Sequence, residues 1–517
     1  MPLQDDSPLY KVIRDLSGGV NTRQGENIIG ENQSTVLKNV ELNTAGERSV
    51  RKGMTQIDAT FPATAASADC GLGLFGFEPD GGTNSLLTMV TPSAGTLVSM
   101  WFYEGAGGVS GCSANTSAWS IAKTAMVKAL ESDEADVVII QNGVDQAFRM
   151  AQDYTFEALG DTNTSPPLTT VMEYYRDRLW CLDANKLYYS EAVSSAYASA
   201  FDRTNNYYNI PVGTARALVG TRDYGLVVFG SLQIYQLNPA MTPAPATDKP
   251  ELVLDIGCVN GDTVKQVGDD FYYLAYDGVR AVKRTVQDKL QSGQTQPLSW
   301  NLKKELEEVN WNYIDKADAV FFQDKYILTL PTGGSTTNNK LWIHYPALNA
   351  WSIISGQSIS KFTTVKFANE LRLYGVDGTN GKLYRMFYGT SDNDTAIEYI
   401  EEGRAEDFGK PLQNKWGGEF KLRAYGNTAT FTPTADIGQG YVAITGDSLV
   451  LPDGGLDFPF DFPISFGAIE GNGVWHLDNL GKFKTIKFRI LCNTKNAEFI
   501  IKETLATTFG EEYMNED

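Results

Sequence analysis

The sequence predicts an all-β fold: a β-propeller of about six to eight blades, with an extended N-terminal arm and a C-terminal β-sandwich-like domain. Strand–turn–strand units recur at near-regular spacing through the middle of the chain. The 49 glycines and 25 tyrosines also favour many short strands joined by turns. A chain of 517 residues exceeds the size of one ordinary core, so we expect more than one domain.

The recurring unit is a strand of about five residues, a short turn and a second strand. Successive units start 43 to 55 residues apart, which is close to the length of one four-stranded propeller blade. Each unit would supply two strands of a blade. A long array of β-sandwiches has similar hairpin spacing and remains an alternative. The units begin at Leu86, Ala135, Arg178, Gly225, Asp269, Asp324 and Glu370.

Several turns between these strands have a physical cause in the sequence. The dipeptides Asn142-Gly143, Asp277-Gly278 and Asp377-Gly378 tolerate the positive φ that a tight hairpin turn requires. Aromatic side chains crowd the same strands. We expect most of them to pack between blades, with a sugar-binding surface as the alternative.

The pattern divides the chain into four parts. We predict an extended arm over residues 1–60, a propeller over 61–403, a C-terminal β-domain over 404–510 and an acidic tail over 511–517. The arm has few strand signals and many polar residues. Strand-like runs at 419–425, 441–444 and 483–491 indicate the C-terminal β-domain, and residues 454–462 form a loop rich in Pro, Gly and Phe. One short charged helix is predicted over 302–309.

Composition excludes some functions. With 43 basic and 63 acidic residues the formal net charge is −20, whereas a protein that grips a phosphate backbone needs a positive surface. Such charge keeps a protein soluble and also suits a surface that DNA slides past. The N-terminus does not resemble a signal peptide, and no apolar run approaches the ~20 residues of a membrane span. We therefore expect a soluble protein made in the cytoplasm.

The cysteines and histidines give no sign of a chemical centre. The five cysteines are dispersed with no CxxC pair, which argues against disulfides and zinc and predicts buried apolar side chains. The two histidines, His344 and His476, are expected to be structural. No GxSxG, HExxH or phosphate-loop motif is present. We expect no enzyme activity, no cofactor and no metal. Residues 377–381 and 392–394 carry oxygen ligands that suit calcium, but polar hairpin turns explain them more simply.

The opening segment resembles the N-terminal segment of many structural proteins of tailed bacteriophages. Residues 15–57 carry an apolar residue, two glycines and Asn-Thr-Arg, then Asn-Val, a Gly-x-Arg element and a basic pair followed by glycine. Patches that begin at Arg176, Ile256, Asn338 and Gly481 also resemble this group and follow in the same order. The matching residues of the opening segment are Gly18, Gly19, Asn21, Thr22, Arg23, Asn39, Val40, Gly46, Arg48, Arg51, Lys52 and Gly53.

The resemblance extends to the β-propeller nozzle and tail-hub (stabilisation) proteins of short-tailed phages. It implies a virion structural protein that forms a ring, a hexamer in this group, and helps to build and close the DNA-ejection channel. The implied partners are other copies of the chain, the portal and adaptor, other tail proteins, tail fibres, and DNA in transit. The implied location is the tail or neck of the virion, assembled in the bacterial cytoplasm.

Two other functions stay open. One is a receptor-binding or fibre-anchoring tail protein with a glycan-binding surface, and the other is a propeller-based glycan hydrolase. For the ring subunit we expect the arm and the acidic tail to contact partners. The expected contact residues in the arm are Gly18, Gly19, Asn21, Thr22, Arg23, Arg51 and Lys52.

Overall fold

The computed structural model describes residues 8–62, 70–91, 98–112, 119–192, 197–452 and 469–510. Nearly all regular structure in these residues is β-strand, so the all-β prediction is confirmed. No helix in the described ranges is long and apolar enough to cross a membrane. Two predicted features, the loop at 454–462 and the acidic tail at 511–517, lie outside the described residues.

The N-terminal segment contains five short strands, although few strand signals are recognisable in its sequence. Only β1 exceeds three residues, which leaves too little alternation to recognise from sequence. The segment is thus an arm that packs along its own chain and contributes strands to three sheets. The strands are β1 (Leu9–Ile13), β2 (Val36–Lys38), β3 (Val40–Leu42), β4 (Arg48–Val50) and β5 (Met54–Gln56).

Four antiparallel sheets of four strands follow, each formed by consecutive strands. Blade 1 contains β6 (Gly71–Phe77), β7 (Ser85–Val90), β8 (Ser99–Tyr103) and β9 (Ser110–Gly111). Blade 2 contains β10 (Ala125–Leu130), β11 (Asp136–Gln141), β12 (Phe148–Met150) and β13 (Phe156–Ala158). Blade 3 contains β14 (Met172–Tyr175), β15 (Arg178–Asp183), β16 (Lys186–Tyr189) and β17 (Tyr207–Asn209). Blade 4 contains β18 (Ala215–Thr221), β19 (Gly225–Gly230), β20 (Ile234–Leu237) and β21 (Glu251–Leu254).

Blades 5 to 7 depart from this pattern. Blade 5 has three strands, β22 (Lys265–Val267), β23 (Asp270–Ala275) and β24 (Gly278–Ala281), followed by helix α1 (Val282–Ser292). Helix α2 (Lys303–Glu307) lies within the predicted helix at 302–309, whereas α1 was not predicted. Blade 6 contains β25 (Asp318–Phe322), β26 (Lys325–Leu330), β27 (Lys340–Tyr345) and β28 (Ala350–Ser355). Blade 7 contains β29 (Ile359–Phe367), β30 (Glu370–Asp377), β31 (Leu383–Met386) and β5.

The seven blades close into a circle. The first strand of each blade, or the 3₁₀ turn Gly261–Thr263 before β22, contacts the first strand of the next blade, and β29 contacts β6. Blade 7 takes its outer strand from the arm, since β5 pairs antiparallel with β31. Each of the seven predicted hairpins forms the second and third strands of one blade, which confirms the repeat.

The C-terminal part is a β-sandwich joined to the propeller. One sheet has the order β3-β4-β40-β33-β38, with β1 also on β40, and the other continues from blade 6 as β28-β2-β32-β39-β35-β36. The paired strands β34 (Ala429–Phe431) and β37 (Leu449–Leu451) accompany them. The remaining strands are β32 (Tyr399–Glu406), β33 (Lys415–Asn427), β35 (Thr434–Asp436), β36 (Tyr441–Ala443), β38 (Ile469–His476), β39 (Ile486–Cys492) and β40 (Glu498–Gly510).

One hydrophobic core runs from blades 5 and 6 through the arm into the sandwich. Trp351 of blade 6, Leu37 and Val40 of the arm, and Phe420 and Phe499 of the sandwich all belong to it. Most of the large aromatic side chains are buried, as predicted, including Trp180, Trp342 and Trp351. All five cysteines are free and buried, which also agrees with the prediction.

Candidate functional site: the arm junction and the propeller axis

Arg48, from the Gly-x-Arg element of the arm, is buried between the arm and the sandwich. Its side chain is 1% exposed and forms a salt bridge with Glu401 of β32, which is 6% exposed. The guanidinium also donates to Ser34 Oγ at 2.7 Å and to the carbonyl of Asn32 at 2.9 Å, as well as to the carbonyl of Leu16. One buried cation therefore ties two stretches of the arm to the sandwich.

Two glycines of the arm allow the backbone to approach closely. Gly19 has φ +72°, and a Cβ there would lie 2.7 Å from the backbone nitrogen of Trp351. A Cβ at Gly53 would lie 2.0 Å from the carbonyl oxygen of Ser391. Only glycine fits these two positions without displacing the neighbouring backbone.

The Asn-Thr-Arg element binds the segment before α2. The backbone N–H of Thr22 donates to the carbonyl of Asn301 at 2.8 Å, and its hydroxyl donates to Glu305. The Arg23 guanidinium stacks 3.4 Å from the centroid of a Trp300 ring. Asn21 is buried, and its side chain donates to Gln33 at 2.8 Å. These contacts fix the arm against the connection between blades 5 and 6.

The basic pair differs in environment. Arg51 is buried and binds both carboxylate oxygens of Asp392, with Nη1 at 2.8 Å from Oδ1 and Nη2 at 2.5 Å from Oδ2. This pairing uses a carboxylate of the 392–394 turn that could have suited calcium. Lys52 is half-exposed and pairs with Glu498, which is also half-exposed. The predicted contact residues thus meet parts of their own chain, and contact with another protein stays a prediction for them.

A charged cluster spans the propeller axis. Lys123, just before β10 of blade 2, places Nζ 2.7 Å from Oδ1 of Asp262 in the turn before β22 of blade 5. Lys361 of blade 7 also pairs with Asp262, which is 23% exposed. Blades 2 and 7 are not neighbours of blade 5 in the circle, so these ion pairs cross the propeller axis. Asp318 of blade 6 lies beside them and accepts the N–H of Phe362 at 2.6 Å.

The cluster shifts the acidity of its members. Burial opposes ionisation of Asp262, but the ammonium groups of Lys123 and Lys361 outweigh it and hold the pKa of Asp262 below its usual value. Burial raises the pKa of Asp318, against the opposing charges of Lys265 and Lys361. Asp262 is thus the ionised centre of the cluster, bound by two lysines.

Glu173 on β14 lines a cavity at the propeller axis, next to this charged cluster. No cation among the described residues influences the pKa of its carboxyl. Burial raises the pKa of Glu173 to about 7, and the only compensating group is the N–H of Gly220, which donates to Oε1 at 3.3 Å. This carboxyl therefore changes its charge near neutral pH.

The buried histidine and the polar turns singled out from the sequence make contacts within the protein. No group of three or more His, Cys, Asp and Glu side chains in the described ranges is arranged to hold a metal ion. His344 is 1% exposed and packs 4.5 Å from Trp351, and burial lowers its pKa to about 4. Asp377 accepts two backbone N–H groups and the hydroxyl of Thr379 in its own turn.

Sequence reasoning did not find the axial cluster. Its members come from four blades and share no motif, so only the closure of the circle brings them together. The regular blade spacing indicates only that charged residues at the starts of the inner strands come together at the propeller axis. It does not indicate which of them form ion pairs.

Comparison with known proteins gives little further information. No family model matches the chain, and no curated protein matches it. A solved structure described as BBS1N in complex with ARL6DN, soaked with lead, is similar with a TM-score of 0.37 and 11% sequence identity. The match covers 66% of this chain and 99% of that chain. A similarity at this level supports no statement about function.

Proposed function

We propose that this chain is a ring-forming structural subunit of a bacteriophage tail or neck, of the nozzle or hub type, and not an enzyme. In this role several copies, six by resemblance, surround the path of ejected DNA and contact the portal, the adaptor and other tail proteins. The protein would reside in the virion after assembly in the bacterial cytoplasm.

The observation that carries the proposal is the structural role of the resembling residues. The arm residues that match the phage group converge on the junction of propeller and sandwich, where Arg48, Arg51 and Gly19 each have a demanding environment. Their recurrence in that group is therefore understandable as a shared way of fixing these two domains together. This supports a common architecture, and the ring function follows from it by resemblance.

The ion pairs at the propeller axis restrict where a DNA channel can lie. Ion pairs cross the propeller axis at Lys123, Asp262 and Lys361, so the axis of one chain offers no path for a duplex. A DNA channel must therefore lie between copies. Head-to-tail contacts between identical chains close into a ring when the rotation between them fits.

A glycan-binding tail protein is less well supported. The aromatic residues that suggested a sugar surface are mostly core residues, including Trp180, Trp342 and Trp351. A stacking platform for sugars needs exposed ring faces, and these rings are buried.

Immunogold electron microscopy of phage particles that encode this chain tests the proposal. An antibody against the chain should label the single vertex where the tail joins the head. Particles stained without primary antibody serve as the control. Label on distal fibres would instead favour the receptor-binding function, and no label on intact or disrupted particles would contradict a virion role.

Native mass spectrometry of the purified chain gives an independent measurement. A closed ring gives one dominant oligomer whose mass is a whole multiple of 56.8 kDa. An open ladder of sizes with no preferred multiple would argue against a closing interface.

A further inference from the structure

The propeller axis contains a cavity of about 340 Å³ to which every blade contributes. Its volume corresponds to roughly ten water molecules at about 30 Å³ each, which is room for a small anion with part of its hydration shell. Most of its charged residues sit at the starts of inner strands. The charged side chains that line it are Glu173, Arg216, Asp262, Lys265, Asp318 and Lys361.

Two cations in this cavity form no salt bridge within the described ranges, although the charge of Lys265 acts on the nearby Asp318. Among the described residues, Arg216 and Lys265 form no salt bridge, and the buried Nε of Arg216 has no hydrogen-bond partner. Asp262 is already bound by Lys123 and Lys361. Placing cations in a partly enclosed space without partners is unfavourable unless an anion joins them.

The charge balance in the cavity differs from that of the whole protein. The whole chain has a formal net charge of −20, so a surface position would expose an anion to repulsion. Inside the cavity three cations, Arg216, Lys265 and Lys361, face three carboxylates, and burial raises the pKa of two of these, Asp318 and Glu173. Charge interactions in such an enclosed site are also stronger than in open solvent.

We propose that the axial cavity binds a small free oxyanion, with Arg216 and Lys265 as its ligands. A guanidinium presents two parallel N–H donors to a tetrahedral oxyanion, and the Lys265 ammonium adds a point charge from the adjacent blade. The bound anion would complete the charge pairing around the axis and link blades 4 and 5 to the cluster on blades 2, 6 and 7. This site is separate from the arm junction and does not depend on ring formation.

Glu173 makes the site sensitive to pH. Its carboxyl shares the cavity with Arg216, Asp262, Lys265, Asp318 and Lys361, and its pKa is about 7. Below that pH the neutral carboxyl does not repel an anion, and above it the carboxylate does. Anion affinity should therefore fall as the pH rises from about 6 to about 8.

Isothermal titration of the full chain with sodium sulfate, at constant ionic strength set by chloride, tests the site. Sulfate keeps its charge over this pH range, so a change in affinity reports on the protein. We expect saturable binding that weakens about tenfold in R216Q and in K265Q. R216K retains the charge and should bind with intermediate affinity, which separates ligand loss from misfolding. K249Q removes an exposed lysine outside the cavity and should bind as the native chain does.

Three results would overturn the proposal. They are no sulfate binding beyond the effect of ionic strength, equal binding by the native chain and R216Q/K265Q, and equal weakening by K249Q. E173Q should remove most of the pH dependence while keeping sulfate binding. A steep pH dependence in E173Q would show that Glu173 does not control the site.

Discussion

At the scale of single residues, the buried pair of Arg48 and Glu401 shows what the arm contributes. A buried ion pair need not add net stability over an apolar pair, because both charges lose their hydration. Arg48 also binds backbone carbonyls of the arm, which an apolar side chain cannot do. The pair therefore specifies one position of the arm on the sandwich.

Removing one partner of this pair should be costly. R48M leaves the Glu401 carboxylate buried without a cation, and we expect it to lower the free energy of unfolding by about 3–5 kcal/mol in urea denaturation. R423Q, which breaks a half-exposed pair with Glu470, should leave stability nearly unchanged. The double variant R48M/E401L should recover part of the loss. An R48M chain as stable as R423Q would contradict this role of Arg48.

Gly19 gives a residue-scale prediction with a matched control. Gly19 and Gly81 have nearly equal φ values of +72° and +69°, but a Cβ at Gly81 meets no atom within 4 Å. G81A should therefore cost only the left-handed conformation, about 1–2 kcal/mol. G19A should cost roughly 1–3 kcal/mol more, because its methyl group overlaps the Trp351 backbone. Equal losses in urea denaturation would show that the close approach is unimportant.

Glu173 makes stability depend on pH. Its pKa in the folded protein is about 7, above the ordinary value of 4.5, so the folded state binds the proton more tightly than the unfolded state does. The favourable contribution of the neutral form is present at low pH and is lost as the pH rises from about 4.5 to about 7. E173Q should therefore melt at a higher temperature than the native chain at pH 8. The two should melt alike near pH 4, as measured by differential scanning calorimetry in chloride buffers, and a gap of the same size at both pH values would contradict this.

At the scale of elements, the sequence predicted what is local and missed what is not. The seven hairpins were recognisable because each pairs neighbouring strands through a short turn. The strands of the arm were missed because β2 to β5 have three residues each and pair with strands far along the chain. Helix α1 was missed because it ends blade 5 where the repeat leads one to expect a fourth strand. The axial ion pairs join residues that are over 90 positions apart, such as Asp262 and Lys361.

The role of the arm as an element can be tested by deletion. A chain without residues 1–60 loses the outer strand of blade 7 and four strands of the sandwich sheets. We expect it to be insoluble or to lack a cooperative thermal transition by circular dichroism. Coexpression of residues 1–60 as a separate fragment should restore a soluble complex, since the lost contacts are noncovalent. A truncated chain with the native melting temperature would mean that the arm is peripheral.

At the scale of the whole molecule, charge and connectivity constrain what the protein can do with DNA. The shared core holds the propeller and sandwich as neighbours, so an assembly would present one fixed surface of each copy to its channel. The net charge of −20 makes that surface, on average, repel phosphates. The two lysine contacts at the propeller axis are engaged with Asp262 and are not available to a duplex.

The purified protein should therefore not retain duplex DNA. In fluorescence anisotropy with a labelled 30-base-pair duplex, we expect no saturable binding at near-physiological salt. Any association should be weaker than a Kd of ~10⁻⁴ M, which is typical of the weakest non-specific binders. Lowering the salt should not restore binding. Salt dependence arises when basic side chains neutralise phosphates and release the counterions of the DNA, and a protein with a net charge of −20 has no excess of such side chains. Micromolar binding that weakens steeply with added salt would contradict this expectation. Such binding would indicate a concentrated basic surface, and a channel formed by this protein would then bind the DNA that passes through it.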